Sequence, residues 1–301
     1  MSLPATQIAP APPANPLSRE EALKRWLRAQ PGVMVAFSGG VDSSYLLDVA
    51  HEVLAERTLA VTADSPSLAR EACARAIAFC RERGIRHQVV ATTEFAQAEY
   101  RANTGNRCYF CKSALLAAMQ GLQVAQHTDA GAILLVGAIA DDLGDHRPGM
   151  RAAAERGARW PLADLGFTKA DVRDRSRARG LSTWDLPAQP CLSSRIPYGE
   201  VVTPEAVRMV EHAELVLHRH GFLHSRARHH AIGRAADGKP RGFLCRIEVP
   251  DGDLARLLLA RQELVAELRT IGYLNVTLDL GGLVSGSLNA LLTSADRQAG
   301  P

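Results

Sequence analysis

The apolar run Val33-Met34-Val35-Ala36-Phe37 opens directly into Ser38-Gly39-Gly40-Val41-Asp42-Ser43-Ser44, and the residues from Tyr45 to Leu54 have helical periodicity. A buried strand, two glycines, an acid, two hydroxyls and then a helix form the most constraining segment of the chain. The glycines let the backbone approach an anion and free N–H groups to point at it. The following helix sets its positive end against the same oxygens. Ser38, Gly39, Gly40, Asp42, Ser43 and Ser44 are therefore expected to bind phosphate, with Asp42 holding Mg2+ on the phosphate oxygens. No Gly-Lys-Ser/Thr stands at Walker spacing, so this is a different phosphate loop.

Strand-like and helical runs alternate around it: strand Val33–Phe37, helix Ser43–Ala55, strand Thr58–Thr62, helix Ser67–Arg83, strand His87–Ala91, a helical stretch over Glu94–Arg101, helix Cys111–Gly121 and strand Ala132–Val136. This order predicts an α/β fold, a parallel sheet with helices on both faces. Ligands of such sheets bind beyond the carboxyl ends of the strands. The segments Thr62–Ser65 and Gly137–Asp142 lie at such ends, so Thr62 and Gly137 join the expected site. Composition changes near Pro197-Tyr198-Gly199, beyond which helix Thr203–His220, strands Ser225–His230 and Gly242–Val249, helix Gly252–Ile271 and strand Asn275–Leu280 suggest a smaller α+β domain. The expected division is a disordered leader over 1–16, the α/β domain over 17–195, and a domain for substrate binding and self-association over 196–301.

At 301 residues and 47% apolar content the chain can bury two cores. The Ala/Pro-rich leader lacks Lys and Arg and does not read as a signal peptide. No run reaches the roughly 18 apolar residues of a membrane span, so a cytoplasmic location without a membrane partner is expected. The net charge of +3 neither requires nor excludes an anionic partner.

A cytosolic chain with six cysteines is not a disulfide framework. Cys73 and Cys80, seven apart on a helical pattern, and Cys245 in an alternating strand read as small core hydrophobes. Cys108 and Cys111 form a Cys-x-x-Cys, and Cys191 follows Pro190 in a turn near Arg195. These three could be zinc ligands with a fourth partner, inert loop cysteines, ligands of a 4Fe–4S cluster with one iron left open, or a set in which Cys191 carries or surrenders sulfur. His218, His220, His224, His229 and His230 do not share one site, because His229 and His230 point to opposite faces of a strand.

The loop at residues 38–44 resembles the pyrophosphatase loop (PP-loop) of enzymes that split ATP into AMP and pyrophosphate. From about Arg19 to Leu292 the chain resembles the LarE family. The resemblance rests on Ser38–Ser44, Asn106–Lys112, Asp141-Asp142 with Asp145–Gly149, Thr183-Trp184-Asp185, Pro190–Gly199 and Gly281–Asn289. It implies ATP-dependent sulfur transfer to pyridinium-3,5-biscarboxylic acid mononucleotide in making the nickel-pincer cofactor of lactate racemase. ATP would adenylylate a carboxylate, and sulfur would then displace AMP. Cys108, Cys111 and Cys191 match the members that hold a 4Fe–4S cluster; in other members the cysteine matching Cys191 gives up its own sulfur. Asp42, Cys108, Cys111 and Cys191 are the implied catalytic residues. The substrate phosphate would be met by Arg226 and Arg228, alternate residues on one strand face, with Ser194 and Arg195; Glu214 matches a family position near the substrate. The implied cofactors are ATP, Mg2+ and the cluster, and the implied partners are further copies of the chain and a nickel-inserting protein. Three rivals share parts of the pattern: a tRNA-thiolating enzyme, an amidating synthetase of the NAD or GMP type, and a sensor without turnover. The first needs a broad basic surface and the second needs no cysteines, so a nucleic-acid partner is not expected.

Overall fold

The computed structural model describes residues 15–125, 131–143, 148–284, 288 and 290. The leader to residue 14, Asp145-His146-Arg147 and parts of Gly281–Asn289 lie outside the described residues. Helix α1 (Pro16–Arg28) starts inside the expected leader: Pro16 takes the first helical position, and Asn15 Oδ1 accepts from Ser18 N at 2.8 Å.

Strands β1 (Val33–Ala36), β2 (Thr58–Asp64), β3 (Arg86–Ala91) and β4 (Ile133–Val136) form one parallel sheet in the order β3-β2-β1-β4. Helices α2 (Val41–Leu54), α3 (Arg70–Arg83), α5 (Arg107–Ala125), α6 (Pro148–Glu155), α7 (Pro161–Asp164) and α8 (Lys169–Ala178) follow the strands; the short α4 (Ala98–Arg101) precedes α5. The central strand β1 shows why the sheet is covered on both sides. Val33 and Val35 join the cluster of Leu23, Leu46, Val49 and Phe79, whereas Met34 and Ala36 join Leu116, Met119 and Ala153. Side chains two apart share a face, so a strand apolar at every position needs helices on both.

Helix α9 (Pro204–Arg219), strands β5 (Arg226–Arg234) and β6 (Pro240–Glu248), helices α10 (Leu254–Leu259) and α11 (Arg261–Ile271) and strand β7 (Tyr273–Leu278) build the second sheet with its helices. Its order is β5-β6-β7, with β5/β6 antiparallel and β6/β7 parallel. The helix expected over Gly252–Ile271 is two helices joined at Ala260.

The chain separates into two compact units that do not divide at residue 195. The first comprises residues 1–64, 70–92 and 112–188; the second comprises 65–69, 93–111 and 189–301. The Cys-x-x-Cys thus belongs with the C-terminal part.

Candidate active site

In the first unit, β1 ends at Ala36, and Phe37 N donates to Val61 O at 2.8 Å. Gly39 then turns the chain with φ +71°, and a Cβ there would stand 3.2 Å from Ala72 O. Gly40 caps α2 without a side-chain bond, leaving the first N–H groups of the helix to a ligand. Ser38 Oγ and Ser43 Oγ are 3.2 Å apart, and Ser43 Oγ donates to Gly40 O at 3.1 Å. Ser44 is buried and its hydroxyl has no hydrogen-bond partner. Gly137, just past β4, comes so close that a Cβ would lie 2.9 Å from Ser43 N. The loop after β4 and the start of α2 therefore meet.

Asp42, half-buried in the first turn of α2, receives both of its bonds from Lys169 Nζ, at 2.7 and 2.5 Å. Burial raises the pKa of its carboxyl, the charge of Asp142 adds to this, and Lys169 and Arg173 act against it. Lys169 N donates to Asp141 Oδ2 at 2.9 Å, which ties α8 to the same loop. Lys169 carried no local signal, since 127 residues separate it from Asp42. Thr62 differs from its expected role in one respect. Its hydroxyl donates to Phe37 O at 2.8 Å and lies 2.9 Å from His87 Nε2, so the side chain works inside the sheet.

In the second unit, the Cys-x-x-Cys lies in the first turn of α5, which begins at Arg107 rather than Cys111. Cys108 is exposed and Cys111 and Cys191 are half-exposed; all six cysteines are thiols. Arg107 is 4% exposed and lies over the Tyr198 ring, 5.6 Å from its centroid. Burial opposes its charge, but Cys191 and Cys108 more than offset this and raise its pKa. Burial also raises Tyr100, with Cys191 and Cys111 adding to the effect. The three cysteines thus share charged and phenolic neighbours. Among the described residues, however, no three His, Cys, Asp or Glu side chains stand close enough to hold a metal ion.

Cys191 precedes the 3-10 turn Leu192–Arg195. The turn is held from below by three buried hydroxyls: Ser67 Oγ to Tyr100 Oη 2.6 Å, Tyr100 Oη to Ser193 Oγ 2.9 Å, and Ser67 Oγ to Ser193 Oγ 2.8 Å. None of these three was legible as a site residue. From above, Arg195 Nη1 donates to the carbonyls of Pro190 (2.6 Å) and Cys191 (3.2 Å) and to Ser194 Oγ (2.9 Å).

The residues expected at the substrate phosphate do come together. Arg195 is 3% exposed and forms a two-point pair with Glu214, at 2.8 and 3.0 Å, so much of its fork is already engaged. Arg228 reaches Ser194 O at 3.0 Å and Glu248 at 2.7 Å. Arg226 has its pKa lowered by burial and then by the charges of Arg195 and Arg228. Arg195 and Arg228 both reach Ser194, and Arg226 lies within the field of both guanidiniums.

No protein-family model matches the chain. It is 42% identical over 278 residues to an uncharacterized protein of Synechocystis sp., covering 92% of this chain and 98% of that one. An uncharacterized protein of Methanocaldococcus jannaschii is 24% identical over 250 residues, 82% of this chain and 89% of its own. The pyridinium-3,5-bisthiocarboxylic acid mononucleotide synthase of Lactiplantibacillus plantarum is 33% identical over 264 residues, 87% of this chain and 91% of the synthase. With identity of that level running through both units, the chain belongs to the LarE family.

Proposed function

We propose that this protein is an ATP-dependent sulfur transferase that converts the carboxylates of pyridinium-3,5-biscarboxylic acid mononucleotide to thiocarboxylates for a nickel-pincer cofactor. The near full-length identity to a synthase of that bisthiocarboxylate product carries the reading. The two chemical stations described above support it.

A carboxylate oxygen is a poor leaving group. Attack of the substrate carboxylate on the α-phosphorus of ATP gives an acyl adenylate and releases pyrophosphate. A sulfur nucleophile then adds to the acyl carbon, AMP departs, and a thiocarboxylate remains. The glycine turn, Ser38, Ser43, Ser44 and the α2 N-terminus bind the phosphates, and Lys169 brings a cation to them. Asp42 offers Mg2+ an oxygen ligand beside the phosphates, a hard donor suited to a hard cation. Arg226 and Arg228, with Ser194 and Arg195, hold the substrate phosphate.

Cys191 and Cys108 share the buried Arg107 guanidinium, and Cys191 and Cys111 share Tyr100. Thiolates are the ordinary donors of an iron–sulfur group, and Cys108, Cys111 and Cys191, once drawn together, would hold it. When bound, a 4Fe–4S cluster would supply sulfide for the transfer. Protein purified without oxygen tests this. About four iron and four labile sulfide per chain, lost together in Cys108→Ala, support the cluster, with pyrophosphate release on adding substrate. Iron-free protein that thiolates once and loses one sulfur's mass at Cys191 makes Cys191 the sacrificial donor instead.

A further inference from the structure

We propose that Arg107 is the positioning residue of the cysteine set, clamping the turn that carries Cys108 and Cys111 to the loop that carries Cys191. The inference rests on reading the three cysteines as one working group.

Arg107 Nη1 donates to Ser193 O at 2.9 Å, two residues beyond Cys191, and to Asn103 Oδ1 at 2.5 Å. One helical turn earlier, Asn103 is fully buried with φ +54°. Its side-chain amide donates to Pro197 O at 2.7 Å, and its backbone carbonyl accepts from Gly199 N at 3.1 Å. Residues 193–199 are thus held at Ser193 by the Arg107 side chain and at Pro197 and Gly199 by the side chain and backbone of Asn103. The conformation at Asn103 is one that few residues adopt, and Asn is among those that tolerate it. It is held here by bonds on both sides of the residue.

The choice of arginine calls for a reason beyond packing. Burying a cation is costly unless charge or several acceptors answer it, yet both hydrogen-bond partners of Arg107 are neutral oxygens. The Tyr198 ring, its centroid 5.6 Å from the guanidinium, gives the buried cation a further partner. An arginine here joins the two segments through two acceptors, Asn103 Oδ1 and Ser193 O. Both bonds leave one nitrogen, Nη1, whose N–H directions are fixed by the guanidinium plane, whereas the ammonium of lysine turns freely on a flexible stem.

The test uses the full-length reduced chain, treated with chelator, and dibromobimane, a short reagent that joins two thiols. Peptide mapping should find Cys191 joined to Cys108 or Cys111 in the parent protein. In Arg107→Gln the yield of that product should fall about tenfold, as expected for loss of a charge-assisted hydrogen bond, while the melting curve stays cooperative. Arg107→Lys, which keeps the charge, covers the case in which the glutamine variant does not fold; it should fold and give an intermediate yield. Undiminished cross-linking in whichever variants fold overturns the clamp, as does a parent protein in which no such pair is joined. Neither readout depends on ATP or thiocarboxylate formation, so failure of the clamp and failure of the proposed activity are seen separately.

Discussion

Lys169 Nζ stands 2.7 and 2.5 Å from the two carboxylate oxygens of Asp42, joining the first turn of α8 to the first turn of α2. The pair places a cation beside the glycine turn, where phosphates are expected. Lys169→Met should lower substrate-dependent pyrophosphate release by about 10- to 100-fold, the usual scale for one electrostatic group in a site. Lys169→Arg should recover part of it. A coupled pyrophosphate assay measures both.

Gly137 is required by its neighbours rather than by its own backbone angles. A methyl group would fall 2.9 Å from Ser43 N and 3.0 Å from Ser43 Cα, and backbone cannot step aside as a side chain can. Gly137→Ala should cost about 1–3 kcal/mol of stability by overpacking. It should also weaken binding of a non-hydrolysable ATP analogue, read by calorimetry alongside a melting curve.

Activation and sulfur transfer are assigned to different groups and should separate. Cys191→Ala leaves the residues around Asp42 untouched, so pyrophosphate release should persist while mass spectrometry finds no thiocarboxylate. Loss of both activities together would place Cys191 in the first step as well.

Arg226 is half-buried beside Arg195 and Arg228, whose charges lower its pKa after burial does while Glu214 and Glu248 act the other way, a setting in which an added anion is favourable. Arg226→Gln should raise KM for the phosphorylated substrate by about tenfold or more, as for loss of a charge-assisted bond. A substrate analogue without phosphate should be affected little.

Acid stability should trace to Glu20. This buried carboxylate accepts from Tyr45 at 3.0 Å and Arg175 at 2.7 Å, and pairs with Arg179 at 3.1 Å. Burial alone would raise its pKa, but the bonds from Arg175 and Tyr45 and the charges of Arg175 and Arg179 outweigh it and hold the carboxyl at about 2. A depressed pKa contributes stability above the ordinary carboxylate value that is lost as pH falls from about 4.5 towards 2, here about 3 kcal/mol in all. Glu20→Gln should lower the melting temperature at neutral pH and flatten its dependence across that window.

Much of the proposed nucleotide station was legible because its parts are neighbours in sequence. A strand apolar at every position, a glycine pair and a helix start leave few arrangements. Thr168 caps α8 and accepts from the Asp171 backbone as capping chemistry requires. Lys169, one residue on, had no such signal, since its partner is set by how α8 packs. Local propensity also misplaced the start of α5. Cys, Tyr and Phe are indifferent helix formers, and the bonds that anchor Arg107 at that start come from Asn103 and from Ser193, the latter 86 residues away.

By itself the sequence determined what could be written in short segments: the parallel sheet, the glycine turn into α2, the cysteine spacing and the family they indicate. Periodicity, glycine conformation and thiol spacing are local properties, and they survive translation into structure. Only the tertiary structure decided that residues 65–69 and 93–111 group with the C-terminal unit, that Arg195 is engaged by Glu214, and that one buried arginine faces Cys108 and Cys191. Those are matters of which distant side chains are buried together. Burial makes each unmet charge and hydrogen bond costly enough to choose its partner, and no spacing rule encodes that choice.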